Sequence, residues 1–275
     1  MLLKTIACLS LLLSMLIFAV MDLSLWLLPV LFAAIWLGLA LIAFLFLWAL
    51  CLLVDLEKEQ EQDDRFYRGV MHLYIEALIS LFRVRIQTQG LEKTPKDGRF
   101  LLVCNHQHEA DPAILMHYFK KNQLAFISKR EARRMFIVGP MMHRTLCQLI
   151  NRENDREALK TILRCIQLIK EDAVSVAVFP EGGIKDLGKL SHFRSGVFKI
   201  AQKAGVPIVI CTLKNTADIV RNGLRLKPTN VTLHLVDVIP AEALKGRTTV
   251  DIAEQVYALM LADLGEHWRP SQAAE

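Results

Sequence analysis

Charge is almost missing from the first fifth of this 275-residue chain: across residues 1–54 only Lys4 and Asp22 carry it. Cysteine is sparse as well. The six residues Cys8, Cys51, Cys104, Cys147, Cys165 and Cys211 show no CxxC or other paired spacing. That excludes a disulfide scaffold and favours reduced structural cysteines in a cytoplasm-facing domain. Internal repeats are lacking, and so is low-complexity sequence outside residues 55–64. An apolar content of 53% excludes a disordered or collagen-like chain. The basic residues come without an aromatic platform or a recognition motif, so no nucleic acid is expected as a partner.

What is present divides into three segments. Residues 5–21 and 23–54 are apolar blocks on either side of Asp22, and a bilayer crossing needs about 20 such residues. Asp22, Ser24 and Trp26 suit an interfacial turn, because ionisable groups avoid hydrocarbon and tryptophan favours the boundary. Residues 1–54 therefore read as a hydrophobic helical hairpin that anchors the chain in a membrane. Lys4, Lys58, Arg65 and Arg68 favour the cytoplasmic side for both ends, against a weakening by neighbouring acids. A signal peptide with Lys4 as its charged end competes, but no small-residue cleavage site follows and the apolar run continues too far. Residues 55–64 (DLEKEQEQDD) hold six acids and one lysine. With the first segment neutral and this one at −5, a chain total of +5 leaves +10 on residues 65–275. The expected organisation is an acidic linker at 55–65, a catalytic domain at 66–268 and a tail at 269–275.

Within that domain the periodicity predicts an amphipathic helix over 66–82. It predicts strands at 83–88, 99–104, 124–128, 147–150, 174–179, 206–213 and 230–239, and further helices at 111–121, 130–136, 154–170, 196–204 and 248–267. Such alternation defines an α/β fold, a single mixed sheet flanked by helices.

The densest polar cluster, Asn105-His106-Gln107-His108-Glu109-Ala110-Asp111-Pro112, follows the second strand directly. Strand exits of this kind are where open α/β sheets hold ligands. A helix starting near Asp111, with Pro112 in its first turn, can turn the carboxylate back onto His106 and make it a proton acceptor. In the competing reading Asp111 caps the helix and His106 is an ordinary loop histidine. His106-x-His108-x-x-Asp111 also resembles the ligand spacing of some zinc hydrolases, but the remaining histidines are scattered, so neither metal nor cofactor is expected. The strand at 174–179 ends in Phe179-Pro180-Glu181-Gly182-Gly183, followed by Lys185, Lys189, His192 and Arg194. Lys129, Arg130, Arg133 and Arg134, with Arg144 and Arg156 nearby, form a basic cluster suited to anionic headgroups or other phosphates, or else a solvated helix face.

The order NHQHEAD, INR at 150–152, FPEGG and VPI at 206–208 resembles the four blocks of the glycerolipid acyltransferases, the family of 1-acylglycerol-3-phosphate acyltransferases, across roughly residues 66–240. The resemblance implies that His106 is a general base oriented by Asp111. It implies direct acyl transfer from acyl-CoA or acyl-ACP to the hydroxyl of a lysophospholipid at the membrane, with phosphatidic acid as the product. Arg152 then faces the acceptor's phosphate. Glu181 and Gly182 serve acceptor binding and site integrity, and Pro207 an architectural or acyl-chain role. His108 stands where the family usually has serine, Cys147 where it often has glycine, and Gly183-Ile184-Lys185 where it usually has Gly-Thr-Arg; Lys185 is the expected substitute charge. A metal-dependent hydrolase or a catalytically silent membrane scaffold are the readings from other classes.

Overall fold

Two uninterrupted apolar runs make two long helices, α1 (Leu2–Met21) and α2 (Leu28–Leu52), joined through a 3-10 turn at Leu25–Leu27. Pro29 sits in the first turn of α2, where a missing N–H costs nothing. The computed structural model describes residues 1–21 and 23–270, so Asp22 of the expected interfacial turn and residues 271–275 of the tail lie outside the described residues. Ser10 and Ser14 are fully buried on α1, and their hydroxyls donate to the carbonyls of Ile6 and Leu11 at 2.7 and 2.9 Å. Small residues with internally satisfied hydroxyls let α1 and α2 pack closely. The outer faces expose Leu12, Leu16, Val20, Leu37, Leu41 and Ile42. Both helices are long and apolar enough to cross a membrane.

The acidic stretch is docked onto the domain instead of hanging free as a linker. Glu57 pairs with Arg133 at 2.5 Å, the Lys58 carbonyl lies 2.9 Å from His143 Nε2, and Arg144 reaches Gln60 at 3.0 Å and Asp64 at 3.4 Å. Arg130 pairs with Glu157 at 3.0 Å. Three arginines of the expected anion-binding cluster are therefore neutralised within the chain. Lys129, Arg134 and Arg156 carry no ion pair among the described residues.

After this strap come α3 (Arg65–Leu81), β1 (Val84–Gln89), β2 (Leu101–Cys104), α4 (Asp111–Tyr118), β3 (Leu124–Lys129), α5 (Val138–Arg144), β4 (Gln148–Ile150), α6 (Asp155–Lys170), β5 (Ser175–Val178), α7 (Lys199–Ala204), β6 (Ile208–Lys214), α8 (Ile219–Leu224), β7 (Thr229–Ile239) and α9 (Thr249–Leu264). Local chemistry sets the boundaries. Asp64 caps α3 by accepting from the Phe66 and Tyr67 amides, Asn154 caps α6, and Thr248 with Asp251 forms a capping box on α9. The sequence predicts a helix over 130–136, but Arg130–Arg134 is a 3-10 turn and α5 begins only at Val138.

The sheet has the order β1-β7-β6-β2-β5-β3-β4. The strands β2 to β6 run parallel to one another, whereas β7 is antiparallel to β6 and carries β1 parallel to itself. It is the expected single mixed sheet. One face is covered by α3, α4, α5, Ile219 of α8 and the base of the hairpin, the other by α6, α7 and α9. Because β2, β5 and β4 point the same way, the NHQHEAD, FPEGG and INR segments all leave at one edge of the sheet. Pro207, which precedes β6, lies at the opposite end, since Ile208 pairs with Leu101 at the start of β2.

On α3, both ring nitrogens of His72 are buried without a partner. Burial first, and then the Arg68 charge, lower its pKa to about 4. An unfolded chain takes up this proton near pH 6.5 and the folded one only near 4, so stability should fall as pH drops through that window. After discounting for partial exposure the loss is about 2 kcal/mol. Denaturant midpoints measured across the window should show a smaller acid loss in His72→Leu than in the parent.

Candidate active site

The site is built where β2 and β5 end side by side. Asn105 is buried, and its side chain continues the β2–β6 pairing beyond the strand: Nδ2 donates to the Leu213 carbonyl at 2.9 Å and Oδ1 accepts from the Leu213 amide at 2.7 Å. That fixes the backbone just ahead of His106. The imidazole Nδ1 lies 2.9 Å from Asp111 Oδ2, and the ring stacks on Phe179 with centroids 4.1 Å apart and planes at 13°. The expected His106–Asp111 pair is therefore formed.

Asp111 does more than cap a helix. Its Oδ2 also accepts from the amides of Gln107 and His108 at 2.7 and 2.8 Å, folding the loop back around the carboxylate. The carboxyl is fully buried, and Oδ1 has no partner. With Nδ1 held by the carboxylate, Nε2 is the ring's accepting nitrogen. His108 is turned to a local task, its Nδ1 accepting from the Ala110 amide at 3.1 Å. Among the described residues no three His, Cys, Asp or Glu side chains are grouped to hold a metal.

Glu181 ties the two strand exits together. Its oxygens accept from the amides of His106 and Ser191, both at 2.8 Å, and it is 1% exposed. Burial pushes its carboxyl pKa up, and the two amides oppose that rise. Gln107 adds a second clamp, accepting from the Gly188 amide at 2.5 Å and donating to the Lys189 carbonyl at 3.3 Å. Glu181 thus joins the loop after β2 to the segment around Ser191 through both carboxylate oxygens. The role of Gln107 was not legible, because its partners lie more than 80 residues away.

Gly182 and Gly183 have φ of 77° and 143°, a backbone open to glycine. The same glycines admit two cations. A Cβ on Gly182 would lie 2.8 Å from Arg194 Nε, and one on Gly183 would lie 3.3 Å from Arg152 Nη1. Burial first, then the Arg194 charge, lowers the Arg152 pKa. Neither guanidinium has an ion pair among the described residues. Two unneutralised arginines on one glycine turn next to the dyad can hold a phosphate-sized anion. Lys185, the expected substitute charge, is exposed farther along the loop, and it is Arg194 that lies over the turn. Arg194 stands in the sequence just before a helix, but nothing there shows that it folds back over Gly182.

Before β4, the backbone that favours glycine falls at Leu146, with φ of 61°, one residue ahead of Cys147. Cys147 is buried and accepts from the Phe126 amide. All six cysteines are free, and burial pushes the thiols of Cys104, Cys147, Cys165 and Cys211 up, which keeps them unreactive.

Residues 85–214, which hold the histidine–aspartate pair at the C-terminal edge of the sheet and the two arginines beside it, match the family model described as Acyltransferase. Over that stretch the chain is similar to the Acyltransferase family. It is 34% identical over 164 residues to the chloroplastic 1-acyl-sn-glycerol-3-phosphate acyltransferase BAT2 of Brassica napus, covering 58% of this chain and 47% of that one. It is 31% identical over 162 residues to the probable 1-acyl-sn-glycerol-3-phosphate acyltransferase of Mycoplasma pneumoniae, covering 56% and 60%. The chain spans about half the length of the plant and algal relatives it matches. Its fold is that of the crystal structure of the 1-acyl-sn-glycerophosphate acyltransferase PlsC from Thermotoga maritima, with a TM-score of 0.61, 22% identity, and coverage of 83% of this chain and 89% of that one.

Proposed function

We propose that this chain transfers a fatty acyl group from acyl-CoA or acyl-ACP to the free hydroxyl of a lysophospholipid, with 1-acyl-sn-glycerol-3-phosphate as acceptor and phosphatidic acid as product. The observation that carries the proposal is the 2.9 Å contact between His106 and a buried aspartate at the shared exit of β2 and β5. His106 Nε2 takes the acceptor's hydroxyl proton as that oxygen attacks the thioester carbonyl. Collapse of the tetrahedral intermediate breaks the carbon–sulfur bond, and the departing thiolate recovers the proton from the imidazolium. Asp111 keeps the ring oriented and stabilises its charged form. No acyl-enzyme or metal enters this route. The hairpin of α1 and α2 lodges in the cytoplasmic membrane and holds the domain on the cytoplasmic side, where lysolipid and thioester meet.

Purified protein offered a panel of lysolipids with both donor types, read by mass spectrometry, should give phosphatidic acid from lysophosphatidate with stoichiometric thiol release. Absence of product from every acceptor would sink the proposal.

Arg152 and Arg194 together hold the acceptor's phosphate. Arg152→Ala or Arg194→Ala should raise the acceptor's KM by about tenfold to a hundredfold, the loss of one charge-assisted hydrogen bond, with a smaller fall in kcat. Lysine at either position should recover part of the loss, and Lys185→Ala should leave KM nearly unchanged. An unchanged KM in both alanine variants would point to an acceptor without phosphate.

A further inference from the structure

Exposed apolar side chains also gather on the helix layer that carries the hairpin, at α8 and the end of α3. α8 turns Ile219 into the core, while Val220 and Leu224, four residues apart, share its outer face. Leu226, just past the helix, is 73% exposed and has φ of 56°, a backbone that disfavours leucine. The last turn of α3 lies alongside and exposes Leu78 and Leu81. The two segments are fastened together. Arg83 donates to the Leu226 carbonyl at 2.6 Å, and α8 sits so close to Phe82 that a Cβ on Gly223 would meet its ring at 2.3 Å. Arg221, Arg225 and Lys227, each next in sequence to one of these apolar residues, are exposed as well. The local acid, Asp218, pairs with Arg221 at 2.8 Å, so the patch keeps a net positive charge.

We propose that α8 and the last turn of α3 form a second foothold on an anionic bilayer surface, separate from the hairpin. This rests on the hairpin itself being lodged in the bilayer. Two observations select a lipid surface as the occupant. The first is continuity. The Tyr67 hydroxyl donates to the Leu50 carbonyl and the Tyr74 hydroxyl to the Ala43 carbonyl. α2 thus runs backwards along α3, and its continuation passes Tyr74 towards the end that bears Leu78 and Leu81. The second is chemistry: leucines interleaved with arginine and lysine match a boundary where apolar tips enter the acyl region and cations meet lipid phosphates. α8 follows the C-terminal end of β6, the edge from which the NHQHEAD and FPEGG segments also emerge. A foothold there turns the His106 edge of the sheet towards the lipid and fixes the tilt that a hairpin alone leaves free.

The test uses full-length protein in vesicles of phosphatidylcholine and phosphatidylglycerol, with an environment-sensitive fluorophore on one cysteine. Cys8 is exposed and the other five are buried, so labelling the parent reports on the hairpin. Leu226→Cys in a Cys8→Ser background reports on the patch. Glu242→Cys in the same background is the remote control, exposed just after β7, whose last residue Ile239 pairs with Ile208 at the far end of the sheet. Lipids carrying a nitroxide near the headgroup should roughly halve emission from position 226 and leave position 242 unchanged. The signal at 226 should weaken in pure phosphatidylcholine. Quenching at Cys8 with position 226 behaving like 242 overturns the foothold and leaves the hairpin reading intact. Absence of quenching at both Cys8 and 226 overturns both, whereas quenching at 226 alone removes the hairpin from the bilayer and overturns the patch as a second foothold beside it.

Discussion

Replacing His106 with alanine should lower acyl transfer by about 10²–10⁴-fold, the usual contribution of a positioned general base, while the protein still folds and reaches the membrane. The fold should survive, because the contact joining this loop to Glu181 is made by the His106 backbone amide and not by its ring. Asp111→Asn is the more searching variant. An asparagine oxygen in the place of Oδ2 can still accept from His106 Nδ1 and from the amides of Gln107 and His108. Its amide nitrogen then occupies the position of Oδ1, which has no partner in the parent protein. The geometry is kept and the negative charge is gone. Turnover should therefore fall to a level near that of His106→Ala, and the double variant should be little worse than either single one, because the two residues act as a unit. Burying an unpartnered amide should cost about 1–3 kcal/mol of stability, which denaturant titration separates from the kinetic loss. Near-normal thiol release in either variant would remove His106 as the base.

The elements that frame this pair were legible because each is short, apolar and bounded by turn residues. The strand predicted at 99–104 is β2 at Leu101–Cys104, and that predicted at 174–179 is β5 at Ser175–Val178. Buried parallel strands read as unbroken aliphatic runs. The helices α5 and α8 were missed, since seven and six residues are too few to establish a helical period. The helix predicted over 111–121 stops at Tyr118, and that predicted over 248–267 stops at Leu264 before Gly265. Within the site, His106 and Asp111 were legible because five residues of local chain carry the contact. Arg194 over Gly182, Gln107 against Gly188 and the pairing of Glu57 with Arg133 join residues distant in sequence, and composition counts such charges without showing which are spent on one another. The +10 of residues 65–275 thus overstates the charge offered to substrates, since the docked acidic strap takes up Arg68, Arg133 and Arg144.

The strap's buried anchor carries the largest expected effect on stability. Arg68 is 5% exposed and grips both oxygens of Asp63 through Nε and Nη2, at 2.6 to 2.9 Å. Its Nη1 donates to the Leu124 carbonyl at 2.9 Å and its Nη2 to the Thr145 carbonyl at 3.1 Å. One guanidinium therefore joins the acidic strap, α3, the start of β3 and the turn before β4. Arg68→Ala leaves a buried carboxylate with only the Gln123 side-chain amide at 3.3 Å and two carbonyls without this donor, and should cost about 3–5 kcal/mol. Against a total stability of about 5–15 kcal/mol, that brings the domain close to its unfolding threshold. Arg68→Lys should recover little, because an ammonium cannot reproduce the planar fork that reaches carboxylate and carbonyls together. Asp63→Asn in the Arg68→Ala background should recover part of the loss, since it removes the stranded charge but not the open carbonyls. Thermal or denaturant unfolding of the four proteins checks the order parent, double variant, Arg68→Lys and Arg68→Ala from most to least stable. A loss below about 1 kcal/mol in Arg68→Ala, the range of a surface pair, would mean that the strap is held by Arg133 and Arg144 instead, and that the buried bridge only follows a docking set elsewhere.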